Sequence, residues 1–392
     1  MNNGIAIGRN AGQSNQGINS VAIGWTAGQQ TQGSAAVAIG VNAGLLLQAI
    51  EGIAIGHNAG TNRQGTDSVA IGTSAGQNTQ GQNAVAIGNL AGQILQSLNC
   101  VAIGFGAGRT QQGTGAVAIG GGAGETTQGE NSVAIGNNAG DTQQGTSAIA
   151  IGASAGAATQ GSGAVAIGVD AGRLTQGTSA IAIGDQAAQY NQSNYAVAIG
   201  VNAGQNSQGL NAVAVGSGAG NSNQGTNSVA LGVASSSTGS TATALGAIAS
   251  AAHSNSTAIG YQATTTADNT IQLGNSSVTN VSTSGAVNAK SYYLNASNSI
   301  NATTSTTINL SNNNIFKISL GTDITSLNLI SAKPGTYIIE IIQGGTNNVT
   351  FPSDWRWASG LIPIITPTAN KIDIITLVYD GSNYFASAVQ NF

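Results

Sequence analysis

The residues that could perform acid–base, nucleophilic or metal chemistry are few in this chain and stand far apart. There are two histidines, His57 and His253, and one cysteine, Cys100, among 392 residues. A zinc centre needs several ligands that converge on one point, and a catalytic site needs a nucleophile within hydrogen-bond reach of a base. Neither histidine has companion ligands around it in the sequence. We therefore expect no enzyme activity, no metal site and no cofactor.

Two other patterns that suggest ligand binding are better explained by repetition. Calcium-binding β-rolls carry aspartate in every repeat, whereas Asp67, Asp141, Asp170 and Asp185 occur sporadically. The glycine-rich residues 120–124 superficially resemble a phosphate-binding loop. No Gly-Lys-Ser/Thr accompanies them, and no helix is predicted there to supply a dipole. We interpret both patterns as ordinary parts of a repeating chain.

The single cysteine excludes an intrachain disulfide. Cys100 stands directly before residues 101–104, at a position that comparable segments fill with Ala36, Ala84 or Ser20. A thiol in a place otherwise held by alanine and serine indicates a small space-filling residue rather than a reactive group.

Aromatic residues near the C-terminus are the best candidates for contact with a ligand. Trp355, Arg356 and Trp357 follow Pro352 in a predicted loop, and Tyr384 lies in a second aromatic segment. Aromatic side chains stack on sugars and form hot spots of protein interfaces. We predict that these four residues bind a receptor. The alternative is that the two tryptophans cover the core of the C-terminal domain or a trimer interface.

The elements that must position these residues follow a strict period. A phrase of the form apolar-Ala-apolar-Gly, as in residues 37–40, recurs every sixteen residues. Its closing glycine falls at Gly8, Gly24 and onward to Gly232, which is fifteen occurrences at a constant spacing of sixteen residues. A short exact period is typical of identical structural units stacked along one axis. The sequence therefore predicts a solenoid rather than a globule.

The local pattern within one repeat predicts a short strand and a tight corner. Val37 and Ile39 alternate with Ala38, which indicates a β-strand of β-branched residues. Gly40 should end the strand in a left-handed or bulged conformation. Ala43 recurs in each unit, so we expect it in a tight place, either inside the coil or where neighbouring chains approach. Helix and collagen periods are absent, and the regular β-branched pairs argue against disorder.

One glutamine recurs in each of fourteen units, usually before a glycine. Stacked β-units lie about 4.8 Å apart, so these side chains would stand above one another. An amide both donates and accepts, so the column can hydrogen-bond along the axis as in cross-β ladders. We predict such a structural ladder, and the alternative is a set of solvent-facing spacers. The column consists of Gln16, Gln32, Gln48, Gln64, Gln80, Gln96, Gln112, Gln128, Gln144, Gln160, Gln176, Gln192, Gln208 and Gln224.

Composition narrows the possible partners. Only 6% of the residues are charged and the net charge is −4, so bulk electrostatics give no attraction to nucleic acid. The sequence shows no basic-then-apolar leader and no run of eighteen apolar residues, so we expect no cleaved export signal and no membrane insertion. One sixteen-residue coil encloses few side chains, which favours association of several chains.

The period predicts a shaft in two parts. Residues 1–232 should form fifteen 16-residue repeats of a parallel β-solenoid. Residues 233–274 should continue it with 14-residue repeats, because the phrase-ending glycines become Gly246, Gly260 and Gly274. The Gln-Gly corner disappears at the same place, so we predict that the two lost residues come from that corner.

The remaining sequence predicts a connector and a globular domain. Residues 275–305 are rich in Asn, Ser and Thr and should form a neck. Residues 306–392 carry most of the large aromatics and several turn signals, which favour a small antiparallel β-sandwich or jelly roll as a tip. The predicted strands are 306–310, 315–320, 336–343, 347–351, 371–379 and 383–389.

The repeated phrase resembles the head repeat of YadA-like trimeric autotransporter adhesins. Residues 19–24 read Asn-Ser-Val-Ala-Ile-Gly, residues 131–136 repeat the phrase, and residues 227–232 nearly do. The sixteen-residue units depart from that family's usual fourteen, which residues 232–274 match. The resemblance, over residues 4–274, implies a left-handed parallel β-roll, three chains side by side and an adhesive surface.

A second resemblance concerns the C-terminal part. Residues 269–274 and the neck after them look like the shaft-to-tip region of viral and phage fibres, and residues 349–357 and 378–384 resemble C-terminal domains of such fibres. Together the two resemblances imply a virion fibre with an adhesin-type shaft.

Three non-enzymatic functions remain open at this point. The first is a homotrimeric virion fibre that projects a receptor-binding tip toward a host-cell receptor or glycan and is held by virion attachment proteins. The second is a bacterial surface adhesin whose shaft binds host or matrix, and the third is a structural extracellular filament. All three place the chain on a virion surface or outside a cell.

Overall fold

The chain is entirely β-structure in the parts that the structure describes. The computed structural model describes residues 3–278, 296–310 and 314–392, with 296–299 described by backbone alone. Every regular element in these ranges is a strand, which confirms the all-β prediction. Within the same ranges there is no helix long and apolar enough to cross a membrane. The chain divides into two compact units, Met1–Ser282 and Thr283–Phe392.

The first unit is a parallel β-solenoid, and two sheets run along it. Sheet A holds the apolar-Ala-apolar segments, whose β-branched residues suit an extended backbone. Its eighteen strands are β1 (Ile5–Ile7), β3 (Val21–Ile23), β5 (Val37–Ile39), β7 (Ile53–Ile55), β9 (Val69–Ile71), β11 (Val85–Ile87), β13 (Val101–Ile103), β15 (Val117–Ile119), β17 (Val133–Ile135), β19 (Ile149–Ile151), β21 (Val165–Ile167), β23 (Ile181–Ile183), β25 (Val197–Ile199), β27 (Val213–Val215), β29 (Val229–Leu231), β30 (Thr243–Leu245), β31 (Thr257–Ile259) and β32 (Ile271–Leu273).

Sheet B holds the segments that end in the recurring glutamine. Its fourteen strands are β2 (Ser14–Gln16), β4 (Gln30–Gln32), β6 (Leu46–Gln48), β8 (Asn62–Gln64), β10 (Asn78–Gln80), β12 (Ile94–Gln96), β14 (Thr110–Gln112), β16 (Thr127–Gln128), β18 (Gln143–Gln144), β20 (Thr159–Gln160), β22 (Thr175–Gln176), β24 (Tyr190–Gln192), β26 (Asn206–Gln208) and β28 (Ser222–Gln224).

Successive turns of the solenoid pair in parallel and in register. In sheet A, Val37 stands opposite Ile53 and Ala38 opposite Ala54. In sheet B, Gln48 stands opposite Gln64. Equivalent residues therefore form columns along the stack, as the exact sixteen-residue period predicts.

The interior of each turn is filled mainly by alanine. Ala38, in the middle of its strand, and Ala43, after the corner, are both fully buried and belong to one continuous core. Of the two places foreseen for Ala43, the structure therefore shows the one inside the coil. Because side chains alternate across a strand, Val37 and Ile39 point outward and are only half-buried.

The closing glycine of each strand is required by backbone geometry. Gly40 has a φ of 129°, a region open almost solely to glycine. A Cβ on Gly40 would lie 2.6 Å from the carbonyl oxygen of Gly56 in the next turn. The expected sharp corner after the strand is confirmed, and its column of glycines leaves no room for a side chain.

The shorter turns after Gly232 lose residues at a different place from the one predicted. Inter-turn hydrogen bonds make Ser235 equivalent to Ala219, and Ser237 equivalent to Gln224. Four residues separate Ala219 from Gln224, but only one separates Ser235 from Ser237. Three residues are therefore removed before the glutamine position and one is added after it. The segment missing from these shorter turns corresponds to the strand of sheet B. The turn is therefore narrower, and the small Ser237 fits where the longer turns hold a long glutamine side chain.

The second unit contains a six-stranded sheet C and a two-stranded sheet D. In spatial order, sheet C is β33 (Ala296–Asn301), β35 (Ile315–Leu320), β37 (Gly335–Gln343), β39 (Ile372–Tyr379), β40 (Tyr384–Val389) and β38 (Trp355–Trp357), and sheet D is β34 (Ser305–Asn309) with β36 (Ser326–Ile330). Residues of both sheets share one hydrophobic core, including Ile308, Leu327, Phe316, Ile339 and Ile375.

The pairing in sheet C is mixed, not antiparallel as predicted. β33–β35, β35–β37 and β38–β40 pair in parallel, as do the two strands of sheet D. Only β37–β39 and β39–β40 are antiparallel. The turn signals between strands do not all close hairpins, because β36 follows β35 in the chain but lies in sheet D, where it pairs with β34.

Five of the six strands predicted in this unit correspond to β34, β35, β37, β39 and β40. The sixth, at 347–351, is wrong, since Val349 forms only an isolated parallel bridge to Ile324. The sequence missed β36, β38 and β33, and β33 lies within the predicted neck. Residues 279–295 of that neck lie outside the described residues.

Candidate functional site

The recurring glutamines lie inside the solenoid. From Gln32 to Gln224 the side chains are 1–3% exposed. In all fourteen turns the Nε2 atom donates to the carbonyl of the residue that opens the sheet A strand, as from Gln48 to Val37 O at 2.8 Å. The amide therefore bridges the two sheets of one turn.

Axial bonds between glutamines also occur, in six steps among the described contacts. Gln48 donates to Gln64 Oε1 at 3.1 Å, and Gln160 donates to Gln176 Oε1 at 3.1 Å. The other four steps run between Gln96 and Gln112, Gln144 and Gln160, Gln192 and Gln208, and Gln208 and Gln224. The bond that recurs in every turn is thus the one across the turn, and the axial ladder is discontinuous.

A second glycine column makes room for these amides. Gly44 has a φ of 55°, and a Cβ there would lie 2.7 Å from Gln48 Oε1. The amide therefore packs directly against a bare Cα. A lysine would bring a buried charge, and a glutamate would lack a donor for the Val37 carbonyl, which explains why only glutamine occupies the column.

The residues that could do metal or redox chemistry do not come together. Cys100 is fully buried in the solenoid, with its Sγ 2.9 Å from the carbonyl oxygen of Gly113. Burial raises the pKa of its thiol, so the unreactive protonated form is favoured. His57 is exposed and His253 half-buried. No group of three or more metal-ligating side chains occurs within the described ranges.

The Trp355–Arg356–Trp357 segment forms an edge strand, so its prediction as a loop is wrong. β38 pairs in parallel with β40, which places Trp355 opposite Tyr384 and Arg356 opposite Phe385. Side chains alternate along a strand, so the tryptophans point to one face of sheet C and Arg356 to the other. The four predicted receptor-binding residues are therefore divided between two faces.

The inward-pointing residues form an aromatic cluster. The ring centroid of Trp355 lies 5.7 Å from Phe351 and 6.3 Å from Tyr384. Trp357 packs edge-on to Phe351 at 5.0 Å, and Tyr384 stacks on Tyr379 at 4.4 Å. Trp355 is only 5% exposed. The alternative interpretation, that the tryptophans cover the domain core, therefore describes Trp355 well.

The opposite face carries a shallow groove that we call the Arg356 groove. Arg356, Thr376, Val378, Phe385 and Ser387 line it, and its volume is about 330 Å³. The guanidinium carbon of Arg356 lies 5.8 Å from the centre of the Phe385 ring, a cation–π contact at an exposed site.

A second groove, which we call the Asp354 groove, lies between sheet D and the β38–β40 edge of sheet C. It has a volume of about 570 Å³ and is lined by Thr307, Asn328, Asp354, Trp355 and Tyr384, with apolar residues of β36 and Pro352. Sequence reasoning missed Asn328 because β36 was not foreseen. The signal for Asp354 was its position directly before the two tryptophans.

The two grooves differ in charge. Desolvation raises the pKa of Tyr384, and the nearby Tyr379 and Asp354 raise it further. Beyond the groove, backbone N–H groups of Asn383 and Ser382 hold the pKa of Asp380 below its ordinary value. Asp354 brings a negative charge to its groove, whereas Arg356 brings a positive charge to the other.

Two family models match the chain. The putative phage tail fibre C-terminal domain matches residues 297–384. The YadA head domain repeat matches residues 49–75, 112–139, 224–247 and 254–277. Both resemblances predicted from the sequence are thereby confirmed. The chain combines adhesin-like head repeats with a domain similar to those of tail fibres.

One similar solved structure is the crystal structure of the collagen-binding domain of the Yersinia adhesin YadA. It is 23% identical, and the match covers 41% of this chain and 76% of that one, with a TM-score of 0.29. No curated protein matches the chain. The two matched families are adhesin and fibre proteins rather than enzymes, and their members are surface-exposed or extracellular.

Proposed function

We propose that this chain is a homotrimeric fibre protein of a virion, whose C-terminal unit contacts a receptor or glycan on the host cell. The observation that carries this proposal is the presence, in one chain, of adhesin-type head repeats and a domain similar to phage tail fibre C-termini. The repeats alone would fit a bacterial adhesin, but the second domain is typical of particles that attach to bacteria. The protein acts by binding and has no catalytic role.

The outward face of sheet A supports assembly of several chains. Each of its strands presents two residues outward, nearly all Val, Ile or Leu, and Ile119, Ile151 and Ile167 are each 36% exposed. A continuous apolar stripe of this length is costly in water and marks an interaction surface. Three copies packed through this face would cover it, in keeping with the resemblance to trimeric adhesins.

The remaining partners follow from the same proposal. Other virion proteins hold the fibre on the particle, and the host receptor is bound at the C-terminal unit. The low charge of the chain gives no affinity for nucleic acid, and the fibre does not insert into a membrane.

Immunoelectron microscopy tests the virion assignment. An antibody against the native C-terminal unit should label phage particles from the source culture, and excess purified protein should block their adsorption to host cells. Label confined to the surface of intact, uninfected cells would contradict the proposal.

A bacterial surface adhesin whose solenoid binds host or matrix is the second candidate. It is favoured by the four YadA head matches, all of which lie in the first unit. Cell binding by the purified protein would then survive removal of residues 290–392. In the virion proposal, the same truncation abolishes binding while the solenoid keeps its β-structure by circular dichroism.

A further inference from the structure

The Asp354 groove carries polar groups that the protein itself leaves available. The Asp354 carboxylate and the hydroxyls of Tyr384 and Thr307 make no hydrogen bond to any described residue. Asn328 accepts one long bond from Ser326, at 3.4 Å through Oδ1, and its Nδ2 donor has no described partner. Acceptors and donors thus face one groove without being used in the fold.

The walls of the groove are packed against the core of the domain. Trp355 is held between Phe351 and Tyr384, and Tyr384 is stacked on Tyr379. On the other side, Leu327 is 4% exposed and belongs to the core shared by both sheets. A ligand would therefore meet a surface that is already ordered, which lowers the entropic cost of binding.

The charge of the groove restricts the ligand. Among the described residues Asp354 is its only charged lining residue, and the nearest cation along the strand, Arg356, points to the opposite face. A carboxylate accepts hydrogen bonds from hydroxyl groups but repels anions. The half-buried Tyr384 and Pro352 add apolar surface to the groove, against which a C–H face can pack.

We propose that the Asp354 groove binds a neutral saccharide unit. Sugar hydroxyls donate to the Asp354 carboxylate and accept from Asn328 Nδ2 and the Tyr384 hydroxyl, while the C–H face of the ring packs against Tyr384 and Pro352. This inference rests on the proposed function, since it names the chemical class of the receptor that the C-terminal unit contacts. A volume of about 570 Å³ is in the ordinary range for ligand sites.

The test measures saccharide binding to the whole 392-residue chain. The probes are oligosaccharides that end in glucose, galactose, mannose or N-acetylglucosamine, together with counterparts that end in glucuronate or galacturonate. Isothermal titration and saturation-transfer NMR should detect a neutral member, and its uronate counterpart should bind about tenfold more weakly or worse.

Variants then locate the site. Asp354→Asn should weaken binding of the neutral sugar about tenfold, and Tyr384→Phe several-fold, because each removes one side-chain hydrogen-bonding group. Asp185→Asn, at an exposed solenoid residue, is the charge-matched control and should bind as the unmodified chain does. The Asp354 side chain is exposed and makes no hydrogen bond to a described residue, so its substitution should leave the unfolding temperature unchanged.

Three results would overturn the inference: no neutral member of the panel binds, Asp354→Asn binds normally, or uronates bind best and Arg356→Ala abolishes their binding. These failures are separable from failure of the proposed function. Antibody-labelled virions without saccharide binding would reject the ligand class alone. Saccharide binding without labelled virions would reject the virion assignment alone.

Discussion

Each turn of the solenoid contains one long polar side chain in an interior otherwise made of alanine. The glutamine fills space that two alanines leave, and its amide satisfies the Val or Ile carbonyl that opens the sheet A strand. Buried polar groups stabilise a fold when they are paired, and the Nε2 donor is paired in every turn, so the residue fills the interior and links the two sheets. The pairing is incomplete, because seven of the buried Oε1 atoms have no hydrogen-bond partner among the described residues: those of Gln32, Gln48, Gln80, Gln96, Gln128, Gln144 and Gln192.

The first prediction concerns that amide. Gln144 is 3% exposed and donates to Val133 O at 2.7 Å, to Ala148 O at 3.3 Å and to Gln160 Oε1 at 3.2 Å. Gln144→Glu places an ionised oxygen against carbonyl oxygens and should lower the free energy of unfolding by about 3 kcal/mol at neutral pH. Thermal unfolding monitored by circular dichroism measures the loss.

Its control lies one residue away. Gln143 is exposed on the same strand, so Gln143→Glu should change stability by less than about 0.5 kcal/mol. Burial raises the pKa of the new glutamate, so the loss should shrink as the pH falls toward 4 and the carboxyl becomes protonated. Equal effects of the two substitutions at neutral pH would contradict the cross-turn role.

Cys100 gives a second prediction at this scale. Because the thiol is fully buried and its pKa is raised, iodoacetamide at pH 8 should not label the native protein. Labelling should reach completion in guanidinium chloride, as read by mass spectrometry. The native state holds the thiol proton more tightly than the unfolded chain does, so this stability contribution is present at neutral pH and is lost as the pH rises above the unfolded pKa. Rapid labelling of the folded protein would show that the turn opens locally.

At the scale of the elements, the two glycine columns differ in how readily they should accept a side chain. Gly168 has a φ of 127° and meets the backbone oxygen of Gly184 at 2.5 Å from an added Cβ. Gly172 has a φ of 54° and meets the end of the Gln176 side chain at 2.8 Å. In the next turn, Ala188 occupies the position equivalent to Gly172, with a φ of 47°. The Gln176 side chain can move away from an added methyl group, whereas the backbone of Gly184 cannot.

The third prediction follows. Gly168→Ala should destabilise the solenoid by about 3 kcal/mol or more, because backbone strain and a clash with fixed atoms add together. Gly172→Ala should cost about 1 kcal/mol, since the strain is smaller and Gln176 can shift. Denaturant unfolding of the two variants compares them directly. A larger loss at Gly172 than at Gly168 would contradict this ranking.

The elements that the sequence predicts well are those set by local repetition. Strand identity, the corner at Gly40 and the parallel stack all follow from a period in which each unit meets its own copy. Sheet C follows no such rule, because the pairing of β38 with β40 joins segments that lie far apart in sequence. Pro352 suggested a loop at Trp355–Trp357, and nothing local indicated a partner at Tyr384.

The candidate site was only partly predictable, because it too depends on contacts between segments that lie far apart in sequence. Aromatic composition singled out Trp355, Arg356, Trp357 and Tyr384, but composition does not assign residues to faces. The strand geometry separates Arg356 from its neighbours and brings Asn328 to the groove from sheet D. A single sequence carries no signal for that juxtaposition.

At the scale of the whole molecule, the outward face of sheet A should govern assembly. If three chains pack through it, charges placed there must be buried without partners, which costs several kcal/mol each. The side chains of sheet B offer a comparison, because Gln143 and Thr159 lie in the same part of the solenoid as Ile151 and Ile167 but are exposed and polar.

The fourth prediction compares these faces. The unmodified chain should have three times the 38.3 kDa mass of one chain in mass photometry. The double variant Ile151→Asp/Ile167→Asp should shift the population toward single chains on dilution, whereas Gln143→Asp/Thr159→Asp should remain trimeric. A monomeric unmodified chain, or equal behaviour of the two variants, would contradict assembly through sheet A.

The in-register columns of the solenoid also bear on how such a protein can vary. Excision of any complete sixteen-residue unit between Gly8 and Gly232 would leave the remaining residues in their columns. The two turns brought together would therefore pair equivalent residues, as neighbouring turns already do. Unequal recombination between the repeated gene segments can therefore lengthen or shorten the protein in steps of about 4.8 Å, and each product remains foldable.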